Sequence, residues 1–236
     1  MILSHRFTGE LADALQSHGV VMLPEMSREH VSEMLAFLRT CPRYACHVER
    51  DRQPYAGGDV ACWSMDDVLA APNFFEFALS WAGVAWDYLG CTPRMYSVNA
   101  FETFPADTRL NPDIQEFHTD KDDDKFLALF VYLTDVTTPE DGAHEYQMGT
   151  HAGLESRGLA QICGSAGTAF LSDGKGRHRG LRPQHGSRVI AWARWGISDP
   201  PASYLWDHMK PSSRAVLGDR YPTDPVLQDQ IKLVVQ

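Results

Sequence analysis

The feature that most limits what this chain can fold into lies after Gly90. Short apolar runs at 94–104, 125–136, 145–148, 167–172 and 187–196 follow one another, separated by Pro, Gly, Asp and Asn. No long helical period intervenes between them. Short strands punctuated by turn residues, without crossover helices, build an antiparallel sandwich or barrel. The stretch before Gly90 reads differently. Leu11, Ala14, Leu15 and His18 keep one helical face until Gly19, residues 20–23 form a short apolar strand, and Ser27 caps a helix carrying Val31, Met34, Leu35 and Leu38 at helical spacing. Residues 41–64, rich in Pro, Gly, Arg, Asp and aromatics, show no period and read as one long loop, and a further helix is expected over about 73–89. Pro200, Pro201, Pro211, Pro222 and Pro225 give residues 198–236 the character of an irregular cover. The expected architecture is mainly β with flanking helices, a jelly roll. A helical part at 1–90, a core at about 91–197 and a cover at 198–236 form one domain, which a length of 236 residues allows.

Charge narrows the partners. Acidic residues outnumber basic ones 31 to 21, for a net charge of −10. Such a surface repels phosphate backbones and anionic lipid, so neither nucleic acid nor a membrane is an expected partner. The longest unbroken apolar run, 126–133, is too short to cross a bilayer, and the first residues lack the apolar segment of a secretion signal. Cys41, Cys46, Cys62, Cys91 and Cys163 are odd in number and irregularly spaced, and no second close pair completes a zinc ribbon. Reduced, mostly buried thiols in a cytoplasmic protein are expected. The partner that remains is a small-molecule substrate, met by a monomer or homodimer.

The sharpest local signal is Phe117-His118-Thr119-Asp120. Residues i and i+2 of a strand face the same way, so an imidazole and a carboxylate at this spacing can converge on one metal ion. Alone the pattern is weak, and a surface histidine beside a solvated acidic run, Asp122-Asp123-Asp124, fits it equally. Downstream, however, the turn Gly174-Lys175-Gly176-Arg177-His178 presents a second histidine, and Arg188 opens a strand in which Arg188, Ile190, Trp192 and Arg194 share a face. Two histidines and one carboxylate with positions left open are the ligand set of non-haem Fe(II) oxygenases. An inward arginine requires an anionic partner, and its fork suits the carboxylate of a co-substrate.

Together these motifs resemble the phytanoyl-CoA dioxygenase-like group of Fe(II)/2-oxoglutarate-dependent oxygenases. The likeness runs from His18-Gly-Val-Val-Met-Leu-Pro24 through Asn99-Ala-Phe-Glu-Thr-Phe-Pro105, Phe117-His-Thr-Asp120 and Phe130-Val-Tyr-Leu-Thr-Asp-Val136. It continues in Glu140-Asp-Gly-Ala-His-Glu-Tyr-Gln-Met-Gly-Thr-His151 and in His178-Arg-Gly180 with Arg188. Many members carry Gly-Ser-His where this chain has Gly149-Thr150-His151. The resemblance implies a double-stranded β-helix, with Fe(II) held by His118, Asp120 and His178. It also implies 2-oxoglutarate anchored through its distal carboxylate by Arg188, and O2 as oxidant. The metal and co-substrate would oxidise a substrate C–H bond, with succinate and CO2 released. Two other readings stand beside it, a cupin-like metal-dependent hydrolase or isomerase and a non-catalytic small-ligand barrel.

Further residues have open roles. Phe130 and Tyr132 share a face, and either one suits contact with 2-oxoglutarate. Asn99 suits a bond to a carboxylate or to substrate, or one to backbone. Arg194 is expected at the far end of the barrel in a salt bridge. His144 and His151 are expected to make turn or supporting hydrogen bonds rather than to bind metal. His185 reads as an exposed turn tip, and His47 and His208 have no expected role. Arg52, Tyr55 and Trp63 either cover the mouth of the site or pack their own loop. Asp173-Gly-Lys-Gly176 lacks the spacing and following helix of a phosphate loop.

Overall fold

The structure, a computed structural model, describes residues 5–45, 53–105, 116–199 and 211–236. One sheet runs in the order β1 (Val20–Leu23), β7 (Ala169–Ser172), β4 (Phe126–Tyr132), β9 (Arg188–Gly196), β3 (Arg94–Thr103) and β2 (Val60–Cys62). A smaller sheet has the order β6 (Leu159–Ile162), β5 (His144–Gln147) and β8 (His178–Gly180). Every strand pairing within these sheets is antiparallel. Rings from the two sheets meet between them, Phe130 and Phe170 against His144, so the sheets face each other as the expected double-stranded β-helix.

Alternation along the strands sorts the core into two layers. β4 is buried at every position because it has an apolar neighbour on both faces. Leu127, Leu129 and Val131, with Val189, Ala191, Ala193 and Trp195 of β9, point outward into a helical layer. That layer is made by α1 (His5–His18), α2 (Arg28–Leu38), α3 (Met65–Ala70), α4 (Phe74–Ser80) and α5 (Ala82–Leu89), through Leu15, Val31, Met34, Leu38, Phe74, Phe75 and Tyr88. Each such side chain, fully buried, contributes about 1.5–3 kcal/mol. Ala128, Phe130, Tyr132, Phe170, Ile190 and Trp192 point the other way, between the sheets. The helices therefore stiffen one face of the large sheet and leave its other face free to carry chemistry.

Several elements depart from the sequence expectation. The 41–64 stretch is no plain loop: β2 lies in it and pairs Val60 with Thr103 and Cys62 with Phe101. Trp63 is buried and donates from Nε1 to Leu38 O at 2.6 Å, so it fastens its segment to the end of α2 and does not cover a site. Tyr55 stacks on Phe104 with ring centroids 5.8 Å apart, and Arg52 lies outside the described residues. The helix expected over 73–89 is two helices meeting at Trp81, preceded by α3, which Ser64 and Asp67 start with a reciprocal capping box. The last stretch holds α6 (Pro225–Ile231), whose Ile231 joins the core with Val234 and Val235. Cys62 is buried, while Cys41, Cys91 and Cys163 are only half-buried; all four are free, and Cys46 lies outside the described residues. Among the described residues no helix is long and apolar enough to cross a membrane.

Candidate metal centre

The ligand atoms of His118, Asp120 and His178 lie within 4.8 Å of one another. Backbone pairing brings them there. His118 N–H donates to His178 O at 3.0 Å, and His178 N–H returns the bond at 2.9 Å, so the two histidines form an antiparallel bridge at the head of β8. Asp120 N–H donates to Gly174 O at 2.9 Å. The turn between Asp173 and His178 needs its glycines for close approach. A Cβ on Gly174 would stand 2.4 Å from the Phe126 ring and 3.3 Å from Asp120 Oδ2, and one on Gly176 would stand 1.9 Å from the Tyr146 hydroxyl.

Each imidazole is oriented by its own backbone. Nδ1 of His118 faces Glu116 O at 2.9 Å, and Nδ1 of His178 faces Gly176 O at 2.8 Å. A carbonyl oxygen only accepts, so each Nδ1 carries the proton and each Nε2 presents its lone pair. Those Nε2 atoms lie 3.7 Å from Asp120 Oδ1 and 3.7 Å from Oδ2 respectively. Burial would raise the Asp120 carboxyl, but Arg194, with His178 and His118, outweighs it and holds the group below the usual carboxylate range. Burial holds His178 below the ordinary imidazole value, with Asp120 offsetting only part of the effect. A carboxylate and neutral imidazoles are the ionisation states a divalent cation requires.

Arg194 corrects the sequence reading in one respect. It does make a salt bridge, but not remote from the ligands: Nη2 lies 3.0 Å from Asp120 Oδ2 and Nη1 lies 2.5 Å from Asp122 Oδ2. Tyr96 donates to the same Asp122 oxygen at 2.9 Å. Asp123 accepts from Ile197 N at 2.8 Å, Ser198 N at 2.9 Å and Ser198 Oγ at 2.7 Å. Asp122 and Asp123 are thus buried and spoken for, and of the acidic run only Asp124 lies on the solvated surface its composition implied.

Toward the other end of β9 stands Arg188, 3 % exposed. Its guanidinium donates to Gly142 O and lies 3.4 Å from Thr103 Oγ1, while Nε has no hydrogen-bond partner among the described residues. No carboxylate among the described residues pairs with it. Gly180 makes the room: a Cβ there would stand 3.2 Å from both terminal nitrogens. Burial presses against the charged form of Arg188, with Tyr132 opposing it, and a guanidinium stays protonated even so.

The remaining candidates divide. Phe130 lies between the sheets, 5.2 Å from the His144 ring and 5.1 Å from Phe170. The Tyr132 hydroxyl is already used: it donates to Ile162 O at 2.9 Å and accepts from His144 N at 2.9 Å, and burial pushes its pKa up to about 12. Phe130 therefore meets the interior through ring contacts alone, whereas Tyr132, whose hydroxyl is engaged, also feels the charge of Arg188. Asn99 lies opposite Trp192 on the inner face and donates to Ser97 Oγ, not to backbone. His151 sits in a short 3-10 turn with Nε2 3.2 Å from Gln16 O, and His185 is exposed as expected. His47 and His208 lie outside the described residues. His144 is buried on β5 beside the triad, closer to the chemistry than its turn-like sequence context implied.

The sequence matches no protein-family model and no curated protein. The fold is shared with non-heme 2-oxoglutarate-dependent enzymes. HygX from Streptomyces hygroscopicus, crystallised with nickel and 2-oxoglutarate, superposes with a TM-score of 0.62 at 15 % identity, covering 80 % of this chain and 87 % of its own. The non-heme alpha-ketoglutarate-dependent carbocyclase SnoK from nogalamycin biosynthesis gives 0.60 at 17 % identity, over 79 % of this chain and 82 % of that one. The epimerase SnoN from the same biosynthesis gives 0.60 at 17 % identity, over 81 % and 83 %. What these relatives share with this chain is architecture.

Proposed function

We propose that this chain is an Fe(II)- and 2-oxoglutarate-dependent oxygenase, akin to the phytanoyl-CoA dioxygenase-like group, that hydroxylates a C–H bond of a small metabolite or natural-product intermediate. One observation carries the reading: a two-histidine, one-carboxylate cluster shares an interior with Arg188, a buried guanidinium lacking a carboxylate partner among the described residues. A buried cation of this kind is stable when an anion completes it, and a dicarboxylate that also reaches a metal fits both ends.

In this reading His118 and His178 hold Fe(II) through Nε2 and Asp120 through a carboxylate oxygen. Arg188, with Thr103 beside it, receives the distal carboxylate of 2-oxoglutarate. When bound, Fe(II), 2-oxoglutarate and O2 supply the oxidising chemistry, with succinate and CO2 as by-products. Phe101, Phe130, Phe170 and Trp192 form the apolar wall that keeps water from the reacting centre. Arg194 holds one oxygen of Asp120 and so fixes the carboxylate's orientation. A small-molecule substrate is supported by the fold relatives, since HygX has been crystallised with hygromycin B and SnoN with nogalamycin RO.

The test is a screen for succinate release from 2-oxoglutarate with Fe(II), ascorbate and a metabolite library. The expected result is one or more compounds that stimulate release and gain one oxygen atom by mass. Turnover of a substrate with zinc and without 2-oxoglutarate would contradict the reading and favour a hydrolase.

A further inference from the structure

His144 sits at a defined level of the small sheet. It pairs with Gly180 on β8, and the next inward pair along the ladder is Tyr146 with His178. On one side its ring lies 5.5 Å from that of His178, nearly parallel at 24°. On the other side is Arg188, which donates to Gly142 O, two residues before His144, and whose terminal nitrogens would stand 3.2 Å from a Cβ placed on Gly180, the pairing partner of His144. The imidazole therefore stands between the metal ligands and the guanidinium. Its ring nitrogens do not belong to the cluster of converging ligand atoms.

The surroundings of this ring are apolar. Phe130 and Phe170 flank it with centroids at 5.2 and 5.1 Å. The residue is 5 % exposed, and Nε2 has no hydrogen-bond partner among the described residues. A leucine would fill such a wall without leaving a polar atom open. Buried polar atoms are nearly always paired, and one left open in the free protein marks where a ligand atom belongs.

We infer that His144 is a positioning residue whose Nε2 hydrogen-bonds 2-oxoglutarate where that molecule passes from Arg188 to the metal. The inference rests on the function proposed above. It assigns to β5 a polar contact additional to the Arg188 anchor, one that fixes how the co-substrate lies across the interior.

The experiment is calorimetric titration of 2-oxoglutarate into Ni(II)-loaded protein, with Ni(II) affinity and the melting temperature of the metal-free protein measured alongside. His144→Leu is expected to weaken 2-oxoglutarate by about 10-fold or more, the loss of one hydrogen bond to an ionised group. Ni(II) affinity should hold and the melting temperature should stay level or rise, because an open polar atom has been removed. His144→Gln, which retains an N–H donor, should recover much of the affinity. Wild-type 2-oxoglutarate affinity in His144→Leu would overturn the inference. So would parallel losses of 2-oxoglutarate affinity, Ni(II) affinity and melting temperature that His144→Gln does not relieve, since those belong to a packing role. Failure of the Ni(II)-loaded wild type to bind 2-oxoglutarate would instead sink the proposed function, and this inference with it.

Discussion

Arg188 and Arg194 share the inner face of β9, yet their partners give them separate tasks. Arg194 is neutralised by Asp120 and Asp122, whereas Arg188 has only neutral acceptors among the described residues. Removing Arg188 leaves the distal carboxylate of a bound 2-oxoglutarate desolvated and unpaired, at about 3–5 kcal/mol. Arg188→Gln should therefore lower kcat/KM for 2-oxoglutarate by on the order of 10²–10³, with Fe(II) affinity unchanged, as a 2-oxoglutarate titration of succinate release and a separate metal titration will show. Arg194→Gln should do the reverse. It frees Asp120, so Fe(II) affinity should fall roughly 10–100-fold, the usual effect of losing a group that orients a ligand. Asp120 also ties stability to pH. Its folded pKa lies below the ordinary carboxylate value, so its contribution is present above the unfolded pKa and is lost as pH falls through the folded one. The melting temperature of the metal-free wild type should exceed that of Asp120→Asn most clearly near neutral pH. The gap should close on acidification, and a gap that widens toward low pH would contradict the assignment.

At the scale of elements, the site depends on two short pieces, the Gly174–Gly176 turn and the three-residue strand β8 that follows it. Gly176→Ala puts a methyl into the Tyr146 hydroxyl, so the turn that aims His178 has to move. Metal affinity and melting temperature should both drop, checked by metal titration and thermal unfolding. Gly180→Ala instead crowds the Arg188 guanidinium at 3.2 Å, and should weaken 2-oxoglutarate with metal affinity retained. These pieces also mark where sequence reading stops. α1 and α2 were legible from their apolar spacing and from Ser27, and β3, β4 and β9 from short apolar runs set off by turn residues. β2 and β8, at three residues each, are too short to display alternation and exist only because a longer partner or a bridge holds them. α3 carried a readable signal in Ser64 and Asp67. The break at Trp81, whose backbone leaves the helical region, has no Pro or Gly before Gly83 to announce it.

At the scale of the molecule, a helical layer buries one face of the large sheet, and the small sheet closes over the other. The convergence of His118, Asp120 and His178 was legible because His-x-Asp and a distant His-Arg pair constrain each other once a jelly roll is assumed. The Arg194–Asp120 contact was not, since it joins residues 74 positions apart through strand register. Nor was the burial of Asp122 and Asp123, whose composition says surface while their partners Tyr96, Arg194 and Ser198 say otherwise. The sheets bring a two-histidine, one-carboxylate cluster and a buried cation into one interior, and the proposed function has a single dicarboxylate span the two. The most direct test is the anaerobic visible spectrum of Fe(II)-loaded protein on adding 2-oxoglutarate, because a 2-oxo acid chelated to Fe(II) gives a charge-transfer absorption that either component alone lacks. The account predicts a saturable band in the wild type, its absence in His178→Ala, and its appearance in Arg188→Gln only at far higher 2-oxoglutarate. A wild-type protein that shows no band at saturating Fe(II) and 2-oxoglutarate would contradict it.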